Sequence, residues 1–151
     1  MEALYFRFRR GGKVEAENQC RSVLSYLGMT QTGTNFYGAR KLLHSMIENR
    51  RSKDLVEQLI QEHCIYVDGG GEPVNRQRLL WDARKGKFSR VIIPNMRVFA
   101  GEKENFLSKA IETAADLETI GVGVVSVELA MGLRQRGIEY EYLINWQGRR
   151  V

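Results

Sequence analysis

The run Val122, Gly123, Val124, Val125, Ser126, Val127 is apolar on both sides of an extended chain. Successive side chains of a strand point to opposite faces, so such a run must be covered on both. A parallel sheet between two helical layers supplies that cover. The strongest helical pattern in the chain, 102–120, stands just before it. Phe106, Ala110, Ile111, Ala114, Leu117 and Ile120 recur on one side, and Gly121 closes the helix.

The same alternation recurs upstream. Residues 3–9 read as a half-buried strand, with Leu4, Phe6 and Phe8 opposite Tyr5, Arg7 and Arg9. A helix over 14–27 carries Ala16, Cys20, Val23, Leu24 and Leu27, with Gly28 as its C-cap. A Thr- and Gly-rich loop, 29–38, leads to two short helices. Their apolar faces are Leu42, Leu43, Met46 and Ile47, then Leu55, Val56, Leu59 and Ile60, with the break at 49–52 and Ser52 as N-cap. A buried strand is expected at 64–67, a helix at 75–85 stopped by Gly86, and a strand at 89–94. A short helix over 129–136 and an alternating edge strand over 138–146 complete the order. These elements predict one α/β domain over 1–151. It is a three-layer sandwich with a mostly parallel central sheet, a loop and helical insertion at 29–62, and a C-terminal edge strand.

Hydrophobic residues at 43% and charged residues at 27% suit a globular chain of 151 residues. No apolar run approaches the roughly 20 residues of a membrane span. The first segment lacks the apolar core and cleavage site of a signal peptide, so a cytoplasmic location is expected. Cys20 and Cys64 read as buried free thiols. With His44 and His63, which read as partly exposed structural residues, they form no metal pattern; no metal or cofactor is expected. A net charge of +5 favours contact with polyanions. Basic residues cluster at Arg7, Arg9, Arg10 and Lys13; at Arg50, Arg51 and Lys53; at Arg84, Lys85, Lys87 and Arg90; and at Arg149 and Arg150.

Asp68, Gly69 and Gly70 leave the second strand at the end where ligands sit in open α/β sheets. Their spacing fits neither dinucleotide nor P-loop glycine patterns, which favours a plain flexible turn. Trp81, beside Leu79 and Leu80, reads as core. Trp146, Tyr140 and Tyr142 near Arg149 and Arg150 suit base stacking, or an edge strand packed on a helix or a second copy.

Several of these segments, taken in order, resemble the catalytic domain of serine recombinases (resolvases and invertases). Tyr5, Arg7 and Arg9 resemble its first-strand Tyr-x-Arg-x-Ser motif, with Arg9 in place of the serine. Glu17, Asn18 and Gln19 resemble its Gln-containing helix start, and Tyr66, Asp68 and Gly69 its second-strand motif. Leu79 to Phe88 match most closely. Arg97 keeps the first arginine of an Asp-Arg-x-x-Arg motif, whereas Met96 and Ala100 replace the other two charges. The 102–128 segment resembles the helix and strand that close the domain.

The resemblance implies phosphate contact through Arg7, Arg9, Arg10 and Arg97, with Asp68, Gly69 and Gly70 as a loop site. It implies no family-type catalysis. That chemistry needs a serine hydroxyl, and a permanently protonated arginine cannot be a nucleophile. The expected function is therefore a catalytically inactive recombinase-like domain that binds nucleic acid, DNA rather than RNA, or a protein such as an active recombinase, and modulates it. Self-association is also open. The alternatives are a diverged DNA- or nucleotide-processing enzyme with a relocated nucleophile, and a basic structural subunit of a nucleoprotein assembly.

Overall fold

A computed structural model of the chain describes residues 1–9, 11–30, 35–48, 53–101 and 103–135. Among the described residues four strands form one sheet: β1 Glu2–Arg7, β2 Ile65–Asp68, β3 Arg90–Ile93 and β4 Gly123–Ser126. The spatial order is β2-β1-β3-β4, and every pairing is parallel. Leu4 stands opposite Ile65 on one side and Ile92 on the other, and Arg7 stands opposite Asp68.

The described helices that cover the sheet are α1 Lys13–Thr30, α2 Phe36–Ile47, α3 Lys53–His63, α4 Val74–Arg84, α5 Phe106–Thr119 and α6 Val127–Gln135. Leu4, Phe6, Val67, Ile92 and Val125 face a core completed by α1, α2 and α6. Tyr5, Tyr66, Val91, Ile93 and Val124 face a second core completed by α4 and α5. Leu59 joins the first core and Ile60 the second, so α3 bridges them beside β2. The result is the expected three-layer α/β sandwich.

Local chemistry sets the element ends. Asn105 Oδ1 accepts from Ser108 N at 3.0 Å and caps the start of α5. Gly86 and Gly121, with φ of +76° and +84°, end helical turns in a conformation that costs other residues strain. Cys64 takes φ +53° without being glycine. It is held there because its N–H donates to Ile60 O at 3.2 Å while its carbonyl accepts from Leu4 N at 3.0 Å. One residue thus ends α3 and begins the sheet.

Four expectations change. β1 is buried on both faces, not one, because helices cover the sheet on both sides: Leu4 and Phe6 lie in one core and Tyr5 in the other. α1 runs past Gly28 to Thr30. α5 starts at Phe106 rather than near 102, and only Ala110, Ala114 and Leu117 of its apolar set are buried. Phe106, Ile111 and Ile120 are exposed, since the sheet covers a narrower arc than the apolar stripe. Trp81 is 57% exposed rather than core, with Lys85 Nζ 5.2 Å from its ring centroid. Cys20 and Cys64 are buried free thiols, as expected. The 49–52 break, the Ser52 cap, the 138–146 edge strand, and Arg50, Arg51, Arg149 and Arg150 lie outside the described residues.

Gly38 marks the closest approach of α2 to the end of α3. A β-carbon there would stand 2.6 Å from Ile65 Cδ1 and 2.7 Å from His63 Cγ. Gly38→Ala is expected to cost about 1–3 kcal/mol by overpacking, despite alanine's better helix propensity. Urea denaturation of the two proteins measures it; equal or greater stability of the variant would show that the helices separate freely.

Candidate functional site

In an open parallel sheet, the crevice for ligands lies beyond the carboxyl ends of the strands, where successive connections leave in opposite directions. Here that point lies between β1 and β3. Polar side chains gather there: Arg7 ends β1, Asp68 ends β2, Asn95 follows β3 and Ser126 ends β4.

Asp68 is the best satisfied of them. Its carboxylate accepts from Tyr5 Oη at 2.7 Å, Asn75 N at 2.9 Å and Arg76 N at 2.8 Å. It therefore caps α4 from the strand end, placing negative charge on free amides at the positive pole of the helix. Asn75 Nδ2 returns a bond to Val67 O at 2.8 Å. Burial, and then the Asp68 charge, push the Tyr5 phenol far above its ordinary range, so it stays protonated as donor.

A second pair lies alongside. The buried Arg76 guanidinium donates to Glu104 at 2.6 and 3.1 Å and to Phe99 O, and Glu104 also accepts from Gly101 N at 2.6 Å. The Arg76 hydrogen bonds hold the Glu104 carboxyl down at about 2.

Arg7 differs from Arg76. It is 3% exposed, and its Nε and Nη1 have no hydrogen-bond partner among the described residues. Nη2 reaches only Gly71 O, at a long 3.5 Å. Asp68, across the strand pair, spends its carboxylate on Tyr5 and α4, and no described carboxylate lies within 4.0 Å of the guanidinium. A buried cation in that state costs several kcal/mol, and a ligand anion would offset it.

Around Arg7, three other buried polar atoms at the same edge lack partners among the described residues: Gln19 Oε1, Asn95 Oδ1 and Ser126 Oγ. Gln19 Nε2 donates to Arg7 O at 3.0 Å, tying α1 to the end of β1. The rule that ligands gather at strand carboxyl ends could have singled out Asn95 and Ser126 from sequence. Gln19 carries no such signal, since a buried glutamine on a helix looks like any polar residue until the helix is docked.

The other expected site residues lie at this edge but open onto different clefts. Arg9 is exposed and lines a cleft of about 540 Å³ with Gly69, Gly70, Gly12 and Lys13. Arg97, in a 3-10 turn Met96–Phe99, lines another of about 820 Å³ between α1 and α6. It pairs with Glu128 at 3.1 Å, both half exposed, an ion pair that contributes little. Arg10 lies outside the described residues. His44 is exposed beside Glu48, and His63 is half-buried. Among the described residues no group of acidic, His and Cys side chains could hold a metal ion. No described helix is long and apolar enough to cross a membrane. Compared with known proteins, the chain matches no protein-family model and no curated protein at a significant level.

The Arg76–Glu104 pair sets an acid limit. The folded Glu104 value lies below the ordinary 4.5, so its contribution is complete above that value and is lost as pH falls from there toward about 2. Glu104→Gln is expected to lower stability at pH 7 by about 1.5–3 kcal/mol, the range for a hydrogen bond to a charged group. It should also flatten the acid limb. Denaturation at pH 7 and pH 3 checks both; an unchanged pH dependence would show that the pair adds nothing.

Proposed function

We propose that this chain is a phosphate-binding α/β module that contacts nucleic acid without cutting it, a catalytically inactive counterpart of the serine recombinase catalytic domain. The observation that carries the reading is the Arg7 guanidinium, buried at the switch point of the sheet with two nitrogens unpartnered among the described residues. Arginine presents a fork of donors that matches two phosphate oxygens, and such bonds are stronger than one long contact to a carbonyl. Entry of a phosphate displaces the Gly71 carbonyl, and the neighbouring glycines at 69–71 let that loop shift. Arg9 and Lys13, exposed at the mouth of the adjoining cleft, supply long-range attraction that salt screens.

Cutting is unsupported on chemical grounds. Arg9 stands where the resemblance calls for the nucleophile. Ser126 is the nearest serine to the strand ends, and its Oγ has no hydrogen-bond partner, hence no base, among the described residues. A protein partner, such as an active recombinase, is a second reading. The observation for it is the exposed strip of Phe106, Leu107 and Ile111 on α5.

Fluorescence anisotropy with duplex DNA, single-stranded DNA and RNA at two salt concentrations tests the reading. Binding should weaken steeply with salt, DNA should be preferred to RNA, and Arg9→Gln should lower the salt slope by about one. Arg7→Met should weaken binding by at least about tenfold. The same change should stabilise the free protein by about 1–4 kcal/mol, because an apolar side chain removes an unpaired buried charge. No covalent adduct with supercoiled DNA should survive denaturing electrophoresis. Salt-independent binding, destabilisation by Arg7→Met, or an adduct lost in Ser126→Ala would each count against the reading.

A further inference from the structure

The cleft between α1 and α6 has a character unlike that of the basic mouth beside Arg9. Its volume, about 820 Å³, falls in the range of small-ligand sites. Val14 from α1 and Met131 from α6 line it with apolar surface. Glu15 and Glu128 also line it, and Glu128 already neutralises Arg97, so it is a poor seat for a phosphate.

Two oxygens in its wall lack donors among the described residues: Gln19 Oε1 and Asn95 Oδ1. Gln19 is 5% exposed, and both oxygens are closed to solvent. The orientation of the Gln19 amide is not arbitrary. Arg7 O can only accept, so the group 3.0 Å from it must be the Gln19 NH2, and the carbonyl is the end left over. The wall therefore asks for donors between apolar surfaces, at the end of β1, to which Gln19 is tied through the Arg7 backbone carbonyl.

We infer that this cleft receives an unpaired nucleobase carrying an exocyclic amino group, as adenine and cytosine do. The inference rests on the phosphate-binding reading and names what that site reads. An amino group directs N–H bonds at the Gln19 and Asn95 oxygens, whereas uracil or thymine opposes them with a carbonyl oxygen at the same position. Because both oxygens lie beneath the wall surface, seating the base shifts these side chains. The base can belong to a free nucleotide or to a single strand, since the groups recognised are the same.

Calorimetric titration of the whole chain with inorganic phosphate, AMP, CMP, UMP and single-stranded oligo-dA and oligo-dT tests this. AMP or CMP should bind at least about tenfold tighter than UMP and than inorganic phosphate. Gln19→Leu should abolish the difference between AMP and UMP. Should Gln19→Leu unfold the chain, Asn95→Ala, on the half-buried turn after β3, gives the same comparison. Oligo-dA far tighter than AMP identifies a strand as the source of the base; equal affinity identifies a free nucleotide. Phosphate binding with no preference among nucleotides overturns this inference and leaves the phosphate seat standing. Loss of inorganic phosphate binding overturns the seat itself, and the base cleft then stands only if AMP is still preferred to UMP.

Discussion

The carboxylate of Asp68 joins three parts of the molecule that must agree for the edge of the sheet to exist. It takes the phenol of Tyr5 from the central strand and two amides from the first turn of α4, while its own backbone stays in β2. Because these bonds are buried, losing the carboxylate would leave a phenol and two amides without partners, at about 1–3 kcal/mol each. With both its oxygens turned to Tyr5 and α4, Asp68 makes no ion pair with Arg7. The unpaired state of Arg7 among the described residues is thus a by-product of how α4 is anchored.

The layers were legible because hydrophobic periodicity reports burial directly. The 122–127 run and the 64–67 segment identify strands covered on both faces, and Gly86 and Gly121 mark helix ends through their backbone freedom. What escaped depends on neighbours distant in sequence. Residues 3–9 alternate like a half-solvated strand, but α4 and α5, more than 60 residues later, cover the face that carries Tyr5. Trp81 has core composition around it, yet α4 turns Leu79 and Ala83 inward and leaves the indole outside.

Site residues follow the same division. Arg7, Arg9, Arg10 and Arg97 became candidates through the resemblance, and Asp68, Gly69 and Gly70 through their place at a strand end. Their individual states could not be read that way. Among the described residues Arg7 is buried without a carboxylate and Arg97 is exposed with one, and the difference arises from which face each residue presents after docking. Gln19 gains its meaning from a single bond to the Arg7 carbonyl, twelve residues away across a helix start.

The central place of β1 also bears on how the chain assembles during synthesis. This strand leaves the ribosome before both partners, and its Leu4, Tyr5, Phe6 and Phe8 form a sticky segment with nothing to pair with. β3 is complete only at Ile93, so at 5–20 residues per second the wait lasts roughly 4–17 s. All of its ladder contacts are long-range, which makes their closure slow. The basic residues within and after it, Arg7, Arg9, Arg10 and Lys13, stand where gatekeepers that keep nascent copies apart would be needed.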